Sequence, residues 1–260
     1  MPDAAASETL AVAERAARAA GTLLLEKARD LDALRIESKS TPTDLVSEAD
    51  VAAERAIRAI LRERAPDDGI VGEEGDDVPS ASGRWWVVDP LDGTVNYLFG
   101  IPQWCVSVAC EGVAGVIYDP SRDELFAGVA GRAPTLDGVA LSGPRHRDDL
   151  SLAMVATGFG YDAEQRAEQA AIVSEVVVRA RDVRRAGAAA LDLAWVAAGR
   201  LDAYFEHGVK RWDVAAGAIL CAGLGLEWRD LRARGRLPAG VLVGPPALVE
   251  ALAPLVDGPG

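Results

Sequence analysis

The sequence predicts a mixed α and β fold, and three observations support this prediction. The segment 47–50, Ser-Glu-Ala-Asp, has the form of a capping box and marks the start of a helix. The run 85–88 is short and apolar and precedes Asp-Pro, which is typical of a buried strand. The second half of the chain alternates strand-like and helical segments, as α/β proteins do.

In the first half we expect two helices and a sheet. Ser7 and an approximate apolar stripe predict a helix that runs to about Ala28. The capping box opens a second helix that runs to about Arg64. Short Gly-containing links between further apolar runs predict an antiparallel meander. The predicted strands cover 85–88, 106–110, 114–118 and 124–129.

In the second half we expect strands and helices in alternation. The predicted strands cover 152–156, 183–186, 201–205 and 240–243, and the predicted helices cover 163–181, 189–198, a segment after Asp213 and 246–255. No Ser/Gly-rich linker divides the chain. We therefore predict one domain over 1–260, with sub-halves 1–143 and 144–260 that join near Gly143.

Net charge and hydropathy exclude several classes of partner. The formal net charge of −13 argues against nucleic acid and against an anionic membrane surface, because both attract Lys and Arg. The uncharged stretch 93–110 contains Asn, Gly, Pro and Gln, which is not typical of a membrane span. The N-terminal segment MPDAAASETL is acidic and has no apolar signal core. We therefore expect a cytoplasmic protein.

Cysteine and histidine are scarce. The three cysteines lie in apolar surroundings without metal-type spacing, which indicates reduced, buried thiols. The chain has only two histidines, His146 and His207. It therefore offers very few ligands for zinc and very few candidates for a Ser-His-Asp triad. We expect His207 to be a loop residue.

The densest chemical pattern is Asp-Pro-Leu-Asp-Gly-Thr at 89–94. Asp89 and Asp92 lie three residues apart on a tight turn at the end of a predicted strand, and such a pair repels itself unless it is protonated or bound to cations. Hard cations such as Mg²⁺ prefer carboxylate and carbonyl oxygens. Gly93 and Thr94 offer backbone N–H groups to an anion. An Asp-Pro or Asp-Gly turn is common alone, but the whole run behind a buried strand is more specific.

Three further acidic groups are weaker in isolation. Glu73 and its neighbour Glu74 would ordinarily be an exposed loop, and Asp213 would be a helix N-cap. Asp44 and Asp50 lie before and within the first turn of the second predicted helix. A twelve-residue calcium loop is excluded because the acidic residues lack its spacing.

Taken together, these segments resemble the inositol monophosphatase family, and especially its bacterial members. That family belongs to the lithium-sensitive, magnesium-dependent phosphomonoesterases. The resemblance follows the chain in order through six segments, 44–50 (DLVSEAD), 71–74 (VGEE), 86–96 (WVVDPLDGTVN), 185–190 (RAGAAA), 204–206 (YFE) and 212–217 (WDVAAG). It implies an α/β fold that is a layered α/β/α/β/α sandwich of the inositol monophosphatase and fructose-1,6-bisphosphatase type, usually a homodimer.

The resemblance also implies a metal site. A first Mg²⁺ would be held by Glu73, Asp89 and the Leu91 carbonyl, and a second by Asp89, Asp92 and Asp213. Glu73 would share a weaker third ion. Two metals can clamp the attacking and leaving oxygens of a phosphoryl transfer and activate a water without histidine.

Further roles carry over residue by residue. Gly93 and Thr94 would hold the phosphate through their N–H groups. Asp50, Glu73 and Thr94 would be catalytic, with Thr94 and Asp50 positioning the attacking water. The supporting residues would be Lys39 and Asp44.

On the substrate side, Glu206 and the segment Gly187, Ala188 and Ala189 would contact the alcohol. Family members usually carry Ser or Thr at position 188, so Ala188 leaves the specificity open. In this reading the whole chain is one catalytic domain, with a metal-binding first half and a substrate-side second half.

The sequence thus predicts a Mg²⁺-dependent phosphatase that hydrolyses inositol monophosphate, a small phosphorylated polyol, and is inhibited by lithium. Sister substrates stay open: histidinol phosphate, fructose 1,6-bisphosphate or a 3′-phosphonucleotide. No strong basic cluster for a second phosphate is visible, which disfavours the bisphosphates. A non-catalytic regulatory binding protein is the alternative from another class, although every expected metal ligand is present.

Overall fold

The computed structural model describes residues 2–38, 45–146 and 148–257 of the chain. Within these ranges the α-helices are α1 Pro2–Lys27, α2 Glu48–Arg64, α3 Thr94–Leu98, α4 Ala163–Val177, α5 Ala189–Ala197, α6 Arg211–Ala222 and α7 Pro246–Val256. Two 3₁₀ helices cover Ala28–Ala33 and Leu150–Leu152. None of the helices in the described ranges is both long enough and apolar enough to cross a bilayer.

The strands form two larger sheets and one small hairpin. The hairpin pairs β1 Ile36–Ser38 with β2 Leu45–Ser47. The first sheet runs in chain order through β3 Gly69–Gly72, β4 Trp85–Asp92, β5 Cys105–Cys110, β6 Ala114–Asp119, β7 Glu124–Val129, β8 Thr135–Leu136 and β9 Val139–Ala140. The second sheet has the order β11-β10-β12-β14-β13, with β10 Met154–Thr157, β11 Asp182–Arg184, β12 Ala203–His207, β13 Glu227–Leu231 and β14 Gly240–Gly244.

Five layers follow from the way the apolar side chains are buried. Helices α1 and α2 pack on one face of the first sheet, and helices α5 and α6 pack on its other face. The same α5 and α6 pack on the inner face of the second sheet, whose outer face is covered by α4 and α7. The order is therefore α/β/α/β/α, and the predicted layered fold is confirmed.

The central helix layer approaches the first sheet closely because small residues face each other. A Cβ added to Gly115 in β6 would lie 2.9 Å from the Cα of Ala216 in α6. A larger residue at either position would push the helix away from the sheet. This close packing fixes the start of α6 relative to the end of β4, and both ends carry predicted site residues.

The capping box predicted at the start of α2 is present. The Ser47 hydroxyl accepts a hydrogen bond from the backbone N of Ala49 at 3.1 Å, and the Asp50 carboxylate accepts one from the backbone N of Ser47 at 2.8 Å. The prediction that Ser7 begins the first helix is wrong, because α1 begins at Pro2. The intervening residues include three alanines, which have the highest helix propensity and extend the helix toward the N-terminus.

His207 is not a loop residue, contrary to our expectation. It is the last residue of β12 and only 2% exposed. Its Nδ1 lies 2.8 Å from the carbonyl oxygen of Pro238, and its Nε2 lies 3.1 Å from the carbonyl oxygen of Val256. The imidazole therefore ties the second sheet to the C-terminal helix and has a structural role.

Candidate active site

A cleft of about 440 Å³ opens where the C-terminal ends of β4 and β12 meet the N-terminal ends of α5 and α6. Most of the predicted site residues line it. These are Glu73, Asp89, Leu91, Asp92, Gly93, Thr94, Gly187, Ala189, Glu206 and Asp213. Both halves of the chain therefore contribute to one cavity, as the sequence predicted.

The end of β4 is irregular, and this irregularity aims two carboxylates at the cleft. The pairing of β4 with β5 shifts register between Asp89 and Asp92, where Pro90 interrupts the ladder. Asp89 Oδ1 accepts a hydrogen bond from the backbone N of Leu91 at 3.0 Å. Because this bond fixes the carboxylate against its own turn, Asp89 is held at the strand end.

Asp92 is anchored by the second half of the chain. Its Oδ1 accepts a hydrogen bond from the backbone N of Ala189 at 3.1 Å, and its Oδ2 accepts one from Ala190 at 2.7 Å. The Cys105 thiol lies 3.6 Å from Oδ2. Asp92 thereby caps the N-terminus of α5, where a negative charge is favourable.

Asp213 occupies the first turn of α6. Its Oδ2 accepts a hydrogen bond from the backbone N of Lys210 at 2.6 Å, so this carboxylate also serves as part of a helix cap. The two alternatives weighed for Asp213, a helix-capping residue and a site residue, are therefore compatible. Its position on the wall of the cleft leaves it facing Asp89 and Asp92.

The clustered carboxylates raise one another's pKa values. Burial raises the pKa of Asp89 well above its ordinary value, and the charges of Glu73, Asp92 and Asp213 raise it further. Burial also raises the pKa of Asp92 to about 6, although the hydrogen bonds from α5 act in the opposite direction. For Asp213 burial is again the largest cause, followed by the charge of Asp92. Repulsion among these four neighbouring carboxylates therefore disfavours the state in which all of them are ionised.

The donor set suits a hard divalent cation. Carboxylates of Glu73, Asp89, Asp92 and Asp213 line the same cleft, and a cation would relieve the repulsion that raises the pKa of Asp89. In the described part of the chain, no group of three or more His, Cys, Asp or Glu side chains is already arranged to hold a metal ion. One oxygen of Asp89 and one of Asp213 accept hydrogen bonds from neighbouring backbone N–H groups.

Thr94 and Asp50 form a hydrogen-bonded pair beside the carboxylates. The Thr94 hydroxyl lies 2.9 Å from Asp50 Oδ1 and 3.1 Å from the carbonyl oxygen of Leu91. Asp50 is 1% exposed and does not line the cleft, whereas Thr94 does. The Ser47 hydroxyl donates to Asp50 Oδ2 at 2.6 Å and fixes the far side of the carboxylate. Asp50 is therefore connected to the cleft through Thr94.

Gly93 permits the turn between β4 and α3. Its φ is +93°, a left-handed conformation that favours glycine. A Cβ at this position would lie 2.9 Å from the carbonyl oxygen of Gln103. Thr94 then begins α3, so the backbone N–H groups of Gly93 and Thr94 lie at the start of that short helix.

Two of the three residues predicted at 187–189 border the cleft. Gly187, with φ of +93°, and Ala189 line it. Ala188 does not line it: this residue is 1% exposed and packs in the core between α5 and the first sheet. A direct contact between Ala188 and a ligand is therefore not part of this arrangement.

Glu206 is a carboxylate on the far wall of the cleft. The Tyr204 hydroxyl donates a hydrogen bond to its Oε2 at 2.7 Å. Burial raises the pKa of Glu206 to about 7, whereas Tyr204 and the charge of Arg185 lower it. Behind it lies Asp192, which is 1% exposed and whose Oδ1 has no hydrogen-bond partner among the described residues. Burial likewise raises the pKa of Asp192 well above its ordinary value.

Several residues of the cleft carried no predicted role. Arg185 and Lys210 bring two cations to it, and Arg185 also lies over the ring of Phe159 at 5.9 Å. Phe159 and Tyr161 add an aromatic edge. Arg185 begins one of the six segments that match the family. The sequence around it does not indicate that its side chain lines the cleft. These two cations did not stand out as a basic cluster in the sequence, because they lie 25 positions apart.

Two predicted supporting residues lie outside the described residues. They are Lys39 and Asp44, in the segment between β1 and β2.

The five layers and the acidic cleft define the layered α/β class that includes metal-dependent phosphomonoesterases. The profile of the inositol monophosphatase family matches residues 5–257. The chain belongs to this family, and membership implies the chemistry of a phosphoric monoester hydrolase. The predicted family resemblance is thereby confirmed.

Individual relatives carry two kinds of name. Inositol-1-monophosphatase SuhB of Mycobacterium tuberculosis is 44% identical over 207 residues, which cover 73% of this chain and 70% of that protein. Nus factor SuhB of Salmonella typhimurium is 37% identical over 251 residues, which cover 94% of this chain and 93% of that protein. The extragenic suppressor protein suhB of Bartonella henselae has a crystal structure that superposes with a TM-score of 0.88 at 31% identity, covering 96% of this chain and 98% of that one.

Proposed function

We propose that this protein is a Mg²⁺-dependent phosphomonoesterase that hydrolyses the monophosphate of a small polyol, with inositol monophosphate as the substrate that fits best. The observation that carries the proposal is the convergence of Glu73, Asp89, Asp92 and Asp213 beside the Thr94–Asp50 pair in one cleft. An anionic substrate would be repelled by these carboxylates alone, so a cation has to bind with it.

The carboxylates and the Leu91 carbonyl are the residues that would hold Mg²⁺. When bound, Mg²⁺ would neutralise charge on the phosphoryl oxygens and make a water more acidic. The protein's own contribution is to fix its carboxylates on rigid elements. Asp89 and Asp92 lie in β4, and Asp213 lies in the first turn of α6.

Thr94 and Asp50 are assigned to the attacking water. Because the Thr94 hydroxyl can donate to Asp50 Oδ1, its oxygen is free to accept a hydrogen bond from a water in the cleft. A proton leaving that water can move to Thr94 Oγ1 as the Thr94 proton moves to Asp50 Oδ1. The N–H groups of Gly93 and Thr94, at the start of α3, would bind the phosphate oxygens.

Glu206 is assigned to the leaving alcohol. As a carboxylate held by Tyr204, it can accept hydrogen bonds from adjacent hydroxyls of a polyol ring. Gly187 and Ala189 would form the neighbouring wall. A homodimer, two or three ions per site and inhibition by Li⁺ are further predictions that the family membership supports.

Two other functions deserve a test. Arg185 and Lys210 at the cleft favour a substrate with a second negative group more than the sequence argument allowed. The sister substrates with a second phosphate, fructose 1,6-bisphosphate and 3′-phosphonucleotides, therefore belong in the assay. Histidinol phosphate, which has one phosphate and a basic alcohol, is the matched comparison. The name Nus factor, carried by several relatives, supports a regulatory partner role as the candidate from another class.

The deciding experiment is a panel of phosphomonoesters incubated with Mg²⁺, with phosphate release as readout. We expect the highest kcat/KM for an inositol monophosphate and inhibition by Li⁺. A preference for histidinol phosphate or a bisphosphate would move the substrate to the sister class. No release from any ester, with a folded protein, would favour the regulatory role.

A further inference from the structure

Glu73 differs from the other carboxylates of the cleft in its support. Asp89 and Asp92 belong to β4, and Asp213 belongs to α6. Glu73 follows the last residue of β3 and lies in a bend that continues through Gly75. The position of the Glu73 backbone therefore depends on what the bend contacts.

A buried ion pair on α2 contacts the backbone of this bend. Glu54 and Arg58, one turn apart on α2, form a buried ion pair in which Arg58 Nε lies 2.6 Å from Glu54 Oε1. Glu54 is 2% exposed and Arg58 is 7% exposed. Charged residues of these types are rarely buried so deeply unless they are paired. A pair of this kind costs desolvation free energy and is weak evidence for stability, so a specific role explains it better.

The pair bonds directly to the backbone of the segment 73–77. Glu54 Oε2 accepts a hydrogen bond from the backbone N of Glu74 at 2.8 Å. Arg58 donates from Nη1 to the carbonyl oxygen of Asp76 at 2.9 Å and from Nη2 to that of Gly75 at 3.1 Å. Three backbone groups on the C-terminal side of Glu73 are thereby fixed to one helix.

The glycines on either side of the bend make this contact possible. A Cβ added to Gly72 would lie 2.6 Å from Glu54 Oε1, and one added to Gly75 would lie 2.7 Å from the same atom. The backbone therefore passes against the ion pair with no room for a side chain.

We propose that Glu54 and Arg58 are positioning residues that hold Glu73 at the cleft, so that the acidic cluster binds its cation tightly. The inference rests on the proposed function, because Glu73 is assigned to the metal there. It adds that cation affinity depends on a buried ion pair on α2, which does not line the cleft. The planar guanidinium of Arg58 is essential to this contact, because its two Nη groups donate to two carbonyl oxygens at once. The compact ammonium group of a lysine cannot reproduce that geometry.

The test measures Mn²⁺ binding by calorimetry and hydrogen–deuterium exchange of the segment 73–77, in the full-length protein. The variants are Arg58→Met, Arg58→Lys and the double variant Glu54→Gln/Arg58→Met, which avoids leaving a buried charge unpaired. Arg62→Met is the matched control, because Arg62 is exposed on the same helix. Thermal melts separate loss of the fold from loss of positioning.

We expect all three variants to bind Mn²⁺ at least about tenfold more weakly and to exchange the segment 73–77 at least about tenfold faster, because its anchoring bonds are lost. Phosphatase assays should show a raised Mg²⁺ requirement with a smaller change in kcat at saturating Mg²⁺. Wild-type affinity and exchange in the double variant would overturn the proposal. Wild-type affinity in Arg58→Lys would overturn it too, because charge alone would then suffice. If the wild-type protein binds no Mn²⁺, the proposed metal site fails, whereas the exchange data still decide whether the pair holds the segment.

Discussion

Asp92 accepts a hydrogen bond from the backbone N of Ala190 at 2.7 Å, so a residue of β4 caps a helix of the other half of the chain. The same carboxylate belongs to the acidic cluster of the cleft. Capping and cation binding therefore share one side chain. This relationship couples the position of the start of α5, which lines the substrate side, to the position of the proposed metal ligands.

The two roles of Asp92 separate in mutants. Asp92→Asn should lower kcat/KM by about 10²–10³, because a charged group of the cation site is lost while an amide still caps α5. Its melting temperature should fall less than that of Asp92→Ala, because the amide oxygen keeps one of the two hydrogen bonds from α5. Asp92→Ala should lose the same activity and also about 0.5–2 kcal/mol of unfolding free energy, because the cap is gone. Equal stability of the two variants in chemical denaturation would show that the cap contributes nothing.

The Thr94–Asp50 pair predicts a defect in turnover without a defect in cation binding. Thr94→Val keeps the shape of the side chain but removes the hydroxyl that joins Asp50 to the cleft. General acid–base assistance accelerates a reaction by a factor of about 10²–10⁴. We therefore expect Thr94→Val to lower kcat by a factor in that range. Thr94→Ser restores a hydroxyl and is the control. A Thr94→Val enzyme with wild-type kcat would remove the residue from the mechanism.

Glu206 predicts discrimination between alcohols. Hydrogen bonds to a charged acceptor contribute about 1.5–3 kcal/mol. At about pH 8, above the pKa of about 7 that burial gives Glu206, Glu206→Gln should therefore lower kcat/KM for an inositol phosphate by one to two powers of ten. Turnover of a simple aryl phosphate, which has no ring hydroxyls, should change much less. If both substrates lose equally, Glu206 supports the fold or the cluster and does not select the alcohol.

Cation affinity should depend on pH in a defined direction. Burial raises the pKa of Asp92 to about 6, so below that pH the carboxyl holds a proton that a cation must displace. The Mg²⁺ concentration for half-maximal activity should therefore be lower at pH 7.5 and rise as the pH falls through 6, by about tenfold per pH unit for the proton on Asp92 alone and more steeply if further carboxyls take up protons. Asp89 and Asp213, whose pKa values are raised as well, act in the same direction. A Mg²⁺ requirement that does not change between pH 5 and 7.5 would contradict this electrostatic account.

The sequence predicts elements well where one local rule decides the outcome. The start of α2 follows from the capping box, and β5, β6 and β7 follow from short apolar runs with Gly-containing links. β13 was missed because its sequence, Glu-Trp-Arg-Asp-Leu, carries three charged residues and is mostly half-exposed at the edge of the sheet. β3 was missed because two of its four residues are glycine, and only its parallel pairing with β4 makes it a strand.

The same limit applies to the site. The resemblance to the inositol monophosphatase family predicted that Asp89, Asp92 and Asp213 share one site, and all three line one cleft. The sequence could not show that Arg185 lines the cleft, because its position depends on how α5 packs. It also could not show that Ala188 is buried in the core. Contacts between distant segments, such as Glu54 with Glu74, follow from packing and have no local sequence pattern.

The acidic cluster is expected to support turnover only with a divalent cation bound. The most direct measurement is phosphate release from inositol monophosphate as free Mg²⁺ is titrated into protein stripped with a chelator. We predict no release in the chelator, recovery with Mg²⁺ in the wild-type protein, and no recovery in Asp213→Asn at the same Mg²⁺ concentrations. Full turnover in excess chelator would contradict the account.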